Sequence, residues 1–319
     1  MLSYERLKER PRDLLGATGL TVQEYEPLLS SFEAAYEKKY PPEQNWQGQA
    51  RQRSAGAGAV GQLRSAADKL LFILVYHKTH PLQLMHGLSF GLSQSQAPYW
   101  IHRLLPVLLQ ALRDREDAPT REATQVAQSA LSGEGGADLL IDGTERRRQR
   151  PQDQQRQKEH YSGKKKAHTD KNLVLVNQNS GKVVYLSETV TGKKHDKKMA
   201  DEAQIAYPQG AILAKDSGFQ GYEPEGVFTL QPKKTRGAEL SAADKLLNGV
   251  LSSSRVKVEH AIAGLKRSRI VKDVLRLTRT DISDQVMEIA CGLHNLRVSS
   301  RHPLLDLDSI KLRLTPYPR

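Results

Sequence analysis

The stretch Ser253-Ser-Arg-Val-Lys-Val-Glu-His-Ala-Ile-Ala-Gly-Leu-Lys-Arg267 decides how the rest of the chain is read. In a helix, Arg255, Glu259 and Lys266 lie four and seven residues apart, so they share one face and follow one another over about three turns. A lone acid between two bases on one face is unusual for a surface that is only wet. Two further acids stand where strands should end. They are Asp142 in Leu139-Leu-Ile-Asp-Gly-Thr-Glu145 and Asp216 in Ala211-Ile-Leu-Ala-Lys-Asp-Ser-Gly-Phe-Gln-Gly221. Each is the first charge after an apolar or near-apolar run and is closely followed by Gly, the pattern of a strand giving way to a turn. Two strand-end carboxylates and one on a helix form a cage suited to hard cations that prefer oxygen ligands.

Around these acids the spacing predicts alternating strands and helices. Ala137 to Thr144 reads as the first strand, and Asn172–Asn177 with Lys182–Ser187 as a hairpin turning at Asn179-Ser-Gly181. A helix is expected from Asp196 to Ala206, strands from Ala211 to Lys215 and Val227 to Leu230, the long helix from Ser241 to about Arg269, and a closing helix from Ser283 to Leu296. Between the first strand and the hairpin lies a basic, aromatic-poor stretch broken by Pro151. It carries Arg148 and Arg150, then Lys164, Lys165, Lys166, His168 and Lys171, and reads equally as a phosphate-binding arm or a solvated loop. Lys233 and Lys234 sit in a second basic loop.

The chain N-terminal to Ser132-Gly-Glu-Gly-Gly136 has a different, helical texture. Thr21-Val-Gln-Glu24 is a capping box ahead of the helical spacing Tyr25, Leu28, Leu29, Phe32, Tyr36, and Pro41-Pro42 ends that helix. Gln44 to Gln62 is an irregular basic linker, with Trp46, Arg51 and Arg53 in reach of a polyanion. Pro81 to Phe90 reads as a short helix, Gly91-Leu92-Ser93 as a tight turn with Ser93 as N-cap, and Gln94 to about Leu105 as a second helix. That helix presents Gln94, Ser95, Gln96 and Tyr99 early, with Arg103 beyond them, as a recognition helix presents side chains to base edges. Ser-Ala-Ala-Asp-Lys-Leu-Leu occurs at both 65–71 and 241–247, read as reuse of helix-start chemistry because the residues after the two copies differ completely. The expected division is a helical segment 1–43, linker 44–62, helix-turn-helix domain 63–131, catalytic domain 137–300 and tail 301–319.

Bulk properties narrow the partners. The 319 residues suffice for two domains, and a formal charge of +12 attracts polyanions, double-stranded DNA first. No apolar run is long enough to span a bilayer, and no signal-peptide core stands near Met1. The single cysteine, Cys291, excludes an intramolecular disulfide and a cysteine-rich zinc site, and its apolar setting predicts a buried helical position in a cytoplasmic protein.

The order of these elements resembles the DDE transposases with an RNase H-like core, and in detail the insertion sequence five group of bacterial transposases. The likeness rests on Ile141-Asp-Gly-Thr-Glu145, Tyr161-Ser-Gly-Lys-Lys-Lys166 with His168 and Lys171, Gly192 with His195-Asp196, Asp216-Ser-Gly-Phe-Gln-Gly-Tyr222, Pro232-Lys-Lys234, and Asn248 through Arg255, Glu259 and Lys266. It covers roughly residues 60–300. In related groups a Tyr stands three residues before the Arg, whereas this chain has Ser252. The resemblance implies an α/β fold, with an RNase H-like mixed sheet flanked by helices and preceded by an all-α helix-turn-helix domain. It further implies that Asp142, Asp216 and Glu259 hold two Mg²⁺ ions, for which Mn²⁺ can substitute, and that Arg255 and Lys266 bind phosphate. A homodimer or higher homo-oligomer on the element's terminal inverted repeats and target DNA is implied by the same likeness. Taken singly, each acid reads equally as half of an ion pair. A DNA-binding regulator with a silent core and a nuclease without strand transfer remain competing readings.

Overall fold

The computed structural model describes residues 1–44, 49–50, 62–133, 137–233, 240–279 and 281–302, without the side chains of residues 246, 247 and 250–255. Trp46, Arg51, Arg53, Lys234, the side chain of Arg255 and residues 303–319 of the tail therefore lie outside the described residues.

The chain opens with α1 (Tyr4–Lys8), α2 (Pro11–Thr18) and α3 (Val22–Lys39). Both halves of the predicted capping box are made: Glu24 N donates to Thr21 Oγ1 at 3.3 Å and Thr21 N donates to the Glu24 carboxylate at 2.8 Å. The apolar helix α4 (Ala66–Thr79) comes next, then α5 (Gln83–Ser89) and α6 (Gln96–Asp114). The turn between α5 and α6 uses Gly91 at φ 69°, a left-handed conformation that costs glycine little. α6 begins at Gln96 with Ser95 in the N-cap position, two residues later than expected, while Ser93 ties the turn to the helix start through a reciprocal pair: Gln96 N donates to Ser93 Oγ at 3.3 Å and Ser93 N donates to Gln96 Oε1 at 2.9 Å. The expected end near Leu105 is too early, for the helix continues through Pro106 to Asp114. Leu104, Leu105, Val107, Leu108, Leu109 and Leu112 are all buried, and this burial outweighs the one backbone bond that Pro106 gives up.

After α7 (Ala130–Gly133) the strands begin: β1 (Asp138–Arg147), then α8 (Gln154–His160), β2 (Tyr161–Ser162), β3 (Ala167–Asn177), β4 (Val183–Leu186) and β5 (Val190–Thr191). Next come α9 (Asp196–Ala203), β6 (Ile212–Lys215), β7 (Phe228–Leu230), α10 (Ala242–Leu265), α11 (Arg269–Lys272) and α12 (Ile282–Arg301). The sheet runs β2-β3-β1-β6-β7, with β4 and β5 also on β3. β1 pairs antiparallel with β3 and parallel with β6, and β6 pairs parallel with β7. This is the mixed α/β architecture, with its helical N-terminal region, that the resemblance implied.

The strand period of two sorts the sheet's side chains. Leu140, Val174, Val176 and Ala214 join a core with Val258, Ala261 and Leu265 of α10 and with the helices α3, α4, α6 and α12. Leu139, Ile141, Leu173, Leu175 and Leu213 face the other way, onto Met199 and Ala200 of α9 and onto Phe219. The N-terminal helices therefore share one apolar core with the sheet, and α12 carries the join. Arg113 of α6 makes a two-pronged bond to the buried Glu288 at 2.7 and 2.9 Å. Cys291 lies buried in α12 as predicted, and burial pushes its thiol up to about 12.

Some boundaries differ from the sequence expectation. β1 does not stop at Thr144 but runs to Arg147, because β3 begins at Ala167 and supplies partners as far as Arg147↔Thr169. Part of the expected basic arm is thus sheet, and another part is α8, capped by Asp153 accepting from Arg156 N. α10 ends at Leu265, and α12 extends to Arg301. Both copies of the repeated heptapeptide do open helices: Asp68 N donates to Ser65 Oγ, and Asp244 N to Ser241 Oγ.

Candidate active site

The parallel β1–β6 ladder runs through Leu140↔Ala214 to Ile141↔Lys215. Asp142 is the next residue of β1, which continues to Arg147 instead of ending there as expected, and Asp216 directly follows β6 in extended backbone, so both share the sheet face of Leu140 and Ala214. That face is covered by α10. Burial of Val258 and Leu265, worth about 1.5–3 kcal/mol each, fixes the helix's rotation, and that rotation brings Glu259 to the two aspartates. Asp142, Asp216 and Glu259 line one narrow cleft together with Leu140, Ile141, Ala214, Lys215 and Val258.

Local chemistry orients the two aspartates. Gly143 N donates to Asp142 Oδ1 at 2.7 Å. Asp216 caps the 3₁₀ turn Ser217–Phe219, with Ser217 N donating to its Oδ1 at 2.5 Å, while Gln231 Nε2 donates to its carbonyl. The enclosed space between the acids is about 10 Å³, too small for a side chain. Among the described residues no three Asp, Glu, His or Cys side chains are gathered tightly enough to hold one ion jointly. The donor set still fits Mg²⁺, which binds through one or two carboxylates and completes its shell with water and substrate phosphate.

Lys266 caps the end of α10, and its amine titrates below an ordinary lysine. Burial is the main cause, then Lys165, while Asp142 and Glu145 pull the other way. The expected phosphate-binding base is thus electrostatically coupled to Asp142.

Behind the aspartates sits a buttress that the sequence does not announce. Lys171 was expected to reach DNA, but it is only 7% exposed. Its ammonium donates to the Lys194 carbonyl at 2.9 Å and lies 3.2 Å from Asp196 and 3.6 Å from Glu145. Thr169 Oγ1 donates to Glu145 at 3.0 Å. The Asp196 carboxylate fills the space where a Gly143 side chain would stand, and it lies 3.2 Å from where a Cβ on Gly218 would be. One ion cluster therefore packs against the residue after Asp142 and the second residue after Asp216. The only sequence trace of this packing is a glycine close behind each acid.

The other expected DNA contacts fall into groups. Lys164, Lys165 and Lys166 are exposed in the turn joining β2 to β3, beside His168, whose ring meets Tyr161 edge-on. Arg148 bonds Asp170 at 2.9 Å, and Arg150 bonds Gln157. Lys233 pairs with Asp244 at 2.8 Å. At the start of α6, Gln94, Ser95, Gln96 and Tyr99 are exposed. Arg103 is occupied internally instead, with its guanidinium 3.4 Å from the centre of the Tyr40 ring.

A mixed sheet with one aspartate midway along β1 and a second directly after the neighbouring β6, a glutamate delivered by a covering helix, and a helix-turn-helix ahead of them defines the class. Residues 141–295 match the DDE superfamily endonuclease family, and residues 61–114 match the helix-turn-helix of DDE superfamily endonuclease. The chain carries a DDE superfamily endonuclease core together with the DNA-binding module of that superfamily. It is similar to a probable transposase for insertion sequence element IS702 from Microchaete diplosiphon, with 24% identity over 210 residues, 66% of this chain and 72% of that relative. No solved structure matches. Among the described residues no helix is long and apolar enough to cross a membrane.

Proposed function

We propose that the protein is the transposase of an insertion sequence, of the insertion sequence five group. It binds the element's terminal inverted repeats through the exposed start of α6, hydrolyses a phosphodiester at the element end, and joins the freed end to target DNA. The observation that carries this reading is the shared cleft of Asp142, Asp216 and Glu259. Those three carboxylates would hold two Mg²⁺ or Mn²⁺ ions, which lower the pKa of an attacking hydroxyl and stabilise the leaving alkoxide. The Gly143 and Ser217 amides, each donating to one carboxylate oxygen, orient Asp142 and Asp216. Lys266 and Arg255 bind the non-bridging phosphate oxygens.

In the first step water attacks phosphorus and gives up a proton to solvent as the bond to the 3′ oxygen breaks, and that oxygen takes a proton from solvent to become a 3′ hydroxyl. In the second step that hydroxyl attacks a target phosphodiester, so one P–O bond forms as another breaks. A homodimer or larger homo-oligomer would bring two ends together.

The test uses labelled element ends and Mg²⁺ or Mn²⁺. Asp142→Asn, Asp216→Asn and Glu259→Gln should each lower cutting by at least about 10³-fold while leaving DNA affinity within about twofold. Cutting that survives all three would refute the assignment of these acids. Cut but never joined products would leave a nuclease, and tight sequence-specific binding without any cutting would leave a regulator.

A further inference from the structure

A second cavity, of about 560 Å³, opens on another face of α10, between that helix, the C-terminal half of α12 and the β3–β4 turn. Lys257, His260, Arg267, Arg297, Arg301 and His302 contribute to its wall, and among the described residues no Asp or Glu does. Arg301 is neutralised locally, by a two-pronged bond to Glu24 at 2.6 and 2.8 Å. Arg297 is buried and donates to the Gly264 carbonyl at 3.1 Å. Among the described residues no carboxylate lies within ion-pair distance of Lys257, Arg267 or Arg297. Burial, then Arg267 and Arg301, push the Arg297 guanidinium down to about 10. Like charges gathered round a cavity repel one another, and the arrangement costs stability unless an anion enters.

The cavity is also built rather than incidental. His294 Nε2 donates to the Gly181 carbonyl at 3.0 Å and fixes the β3–β4 turn against α12. A side chain on Gly264 would overlap the His294 ring, so glycine is what lets α10 and α12 close on each other here. Lys78 Nζ donates to the Arg267 carbonyl at 2.9 Å and holds the end of α10.

Position identifies the anion. Lys257 and His260 flank Glu259 in sequence, and Arg267 lies eight residues beyond it, about 12 Å along the axis at 1.5 Å per residue. That is three to four nucleotide rises of about 3.4 Å. We infer that this cavity binds backbone phosphates of the DNA strand that leaves the Asp142–Asp216–Glu259 cleft around α10, about three to four nucleotides from the cleaved bond. The inference rests on the proposed DNA-cutting function and adds a phosphate site to it.

The test is Lys257→Ala with Arg267→Ala, both exposed, in the full chain, with Asp142→Asn as the control variant. Binding to a labelled duplex end is measured across a salt series. The double variant should bind at least tenfold more weakly, and its slope of log K against log salt should fall by about two contacts at roughly 0.9 each. Neutral methylphosphonate linkages placed three or four nucleotides from the cut should weaken the unmodified protein and leave the double variant unaffected. Equal affinity and slope in the double variant, with the unmodified protein and Asp142→Asn still binding, would overturn the site and spare the function. An unmodified protein that binds no DNA would overturn both.

Discussion

Asp142 and Asp216 leave the parallel β1–β6 ladder on the same rung, directly after the pair Ile141↔Lys215. A one-residue slip of β6 against β1 would move one carboxylate to the opposite face of the sheet, because the side-chain period is two. The position of the cleft is thus a consequence of register. The register is held by Leu140 and Ala214 on the α10 side and by Leu139 and Leu213 on the α9 side.

Gly143→Ala should disrupt this arrangement while leaving Asp142, Asp216 and Glu259 unsubstituted. The new methyl would overlap the Asp196 carboxylate, and overpacking of this kind costs about 1–3 kcal/mol. Urea denaturation should show that loss, and cutting should fall far more than DNA binding. Asp196→Ala added to Gly143→Ala should recover part of the stability. A Gly143→Ala protein of unchanged stability and rate would show that Asp196 does not pack there.

The pH profile of cutting should report on Lys266. Its amine loses its proton at lower pH than an ordinary lysine, mainly through burial. The charge that would bind phosphate is therefore present below this depressed value and lost as pH rises through it. The alkaline limb of the rate should fall earlier than a free lysine allows, and Lys266→Arg should abolish that limb, because arginine stays charged. A profile identical in the arginine variant would detach Lys266 from the chemistry.

That Asp142, Asp216 and Glu259 line one cleft was legible in the sequence because each carries a local signature, an apolar run ending in Asp-Gly or Asp-Ser-Gly, or a charged helical face. The buttress was not, because Glu145, Lys171 and Asp196 come from three elements and meet only through sheet pairing. Charge in the 145–150 stretch suggested an arm, yet strand alternation places Arg146 inside, donating to Asn172 Oδ1 and the Ser283 carbonyl. A basic residue in a strand is read correctly only when its partner strand is known. The same holds for Arg103, whose aromatic partner Tyr40 is 63 residues away in sequence.

Arg113→Ala should destabilise the join between α6 and α12 by about 3 kcal/mol, since it strands the carboxylate of Glu288, whose side chain is 4% exposed. Arg121, at 3.9 Å, is too distant to replace the two-pronged bond. Replacing both partners, Arg113→Met with Glu288→Met, should cost less than Arg113→Ala alone. Thermal denaturation of the two singles and the double supplies the cycle. A double variant as unstable as the sum of the singles would show that the pair is not coupled.

Acid should unfold the protein through its buried histidines. His77, His80, His86 and His294 are each pushed down to about 4 by burial. The folded state keeps these rings neutral, whereas the unfolded chain takes up protons near the ordinary value of 6.5. Between these values the unfolded state binds more protons, so stability is full above pH 6.5 and declines as pH falls towards 4, by on the order of 3 kcal/mol for the fully buried His77 ring. His77 offers the sharpest check, because it is fully buried and its Nε2 donates to the Val286 carbonyl at 3.0 Å. His77→Leu should lose about 1 kcal/mol at pH 7 through that missing bond, yet lose less than the unmodified protein on acidification. Urea midpoints at pH 7 and pH 5 measure both effects. If the variant and the parent fall in parallel, a group other than His77 carries the acid sensitivity.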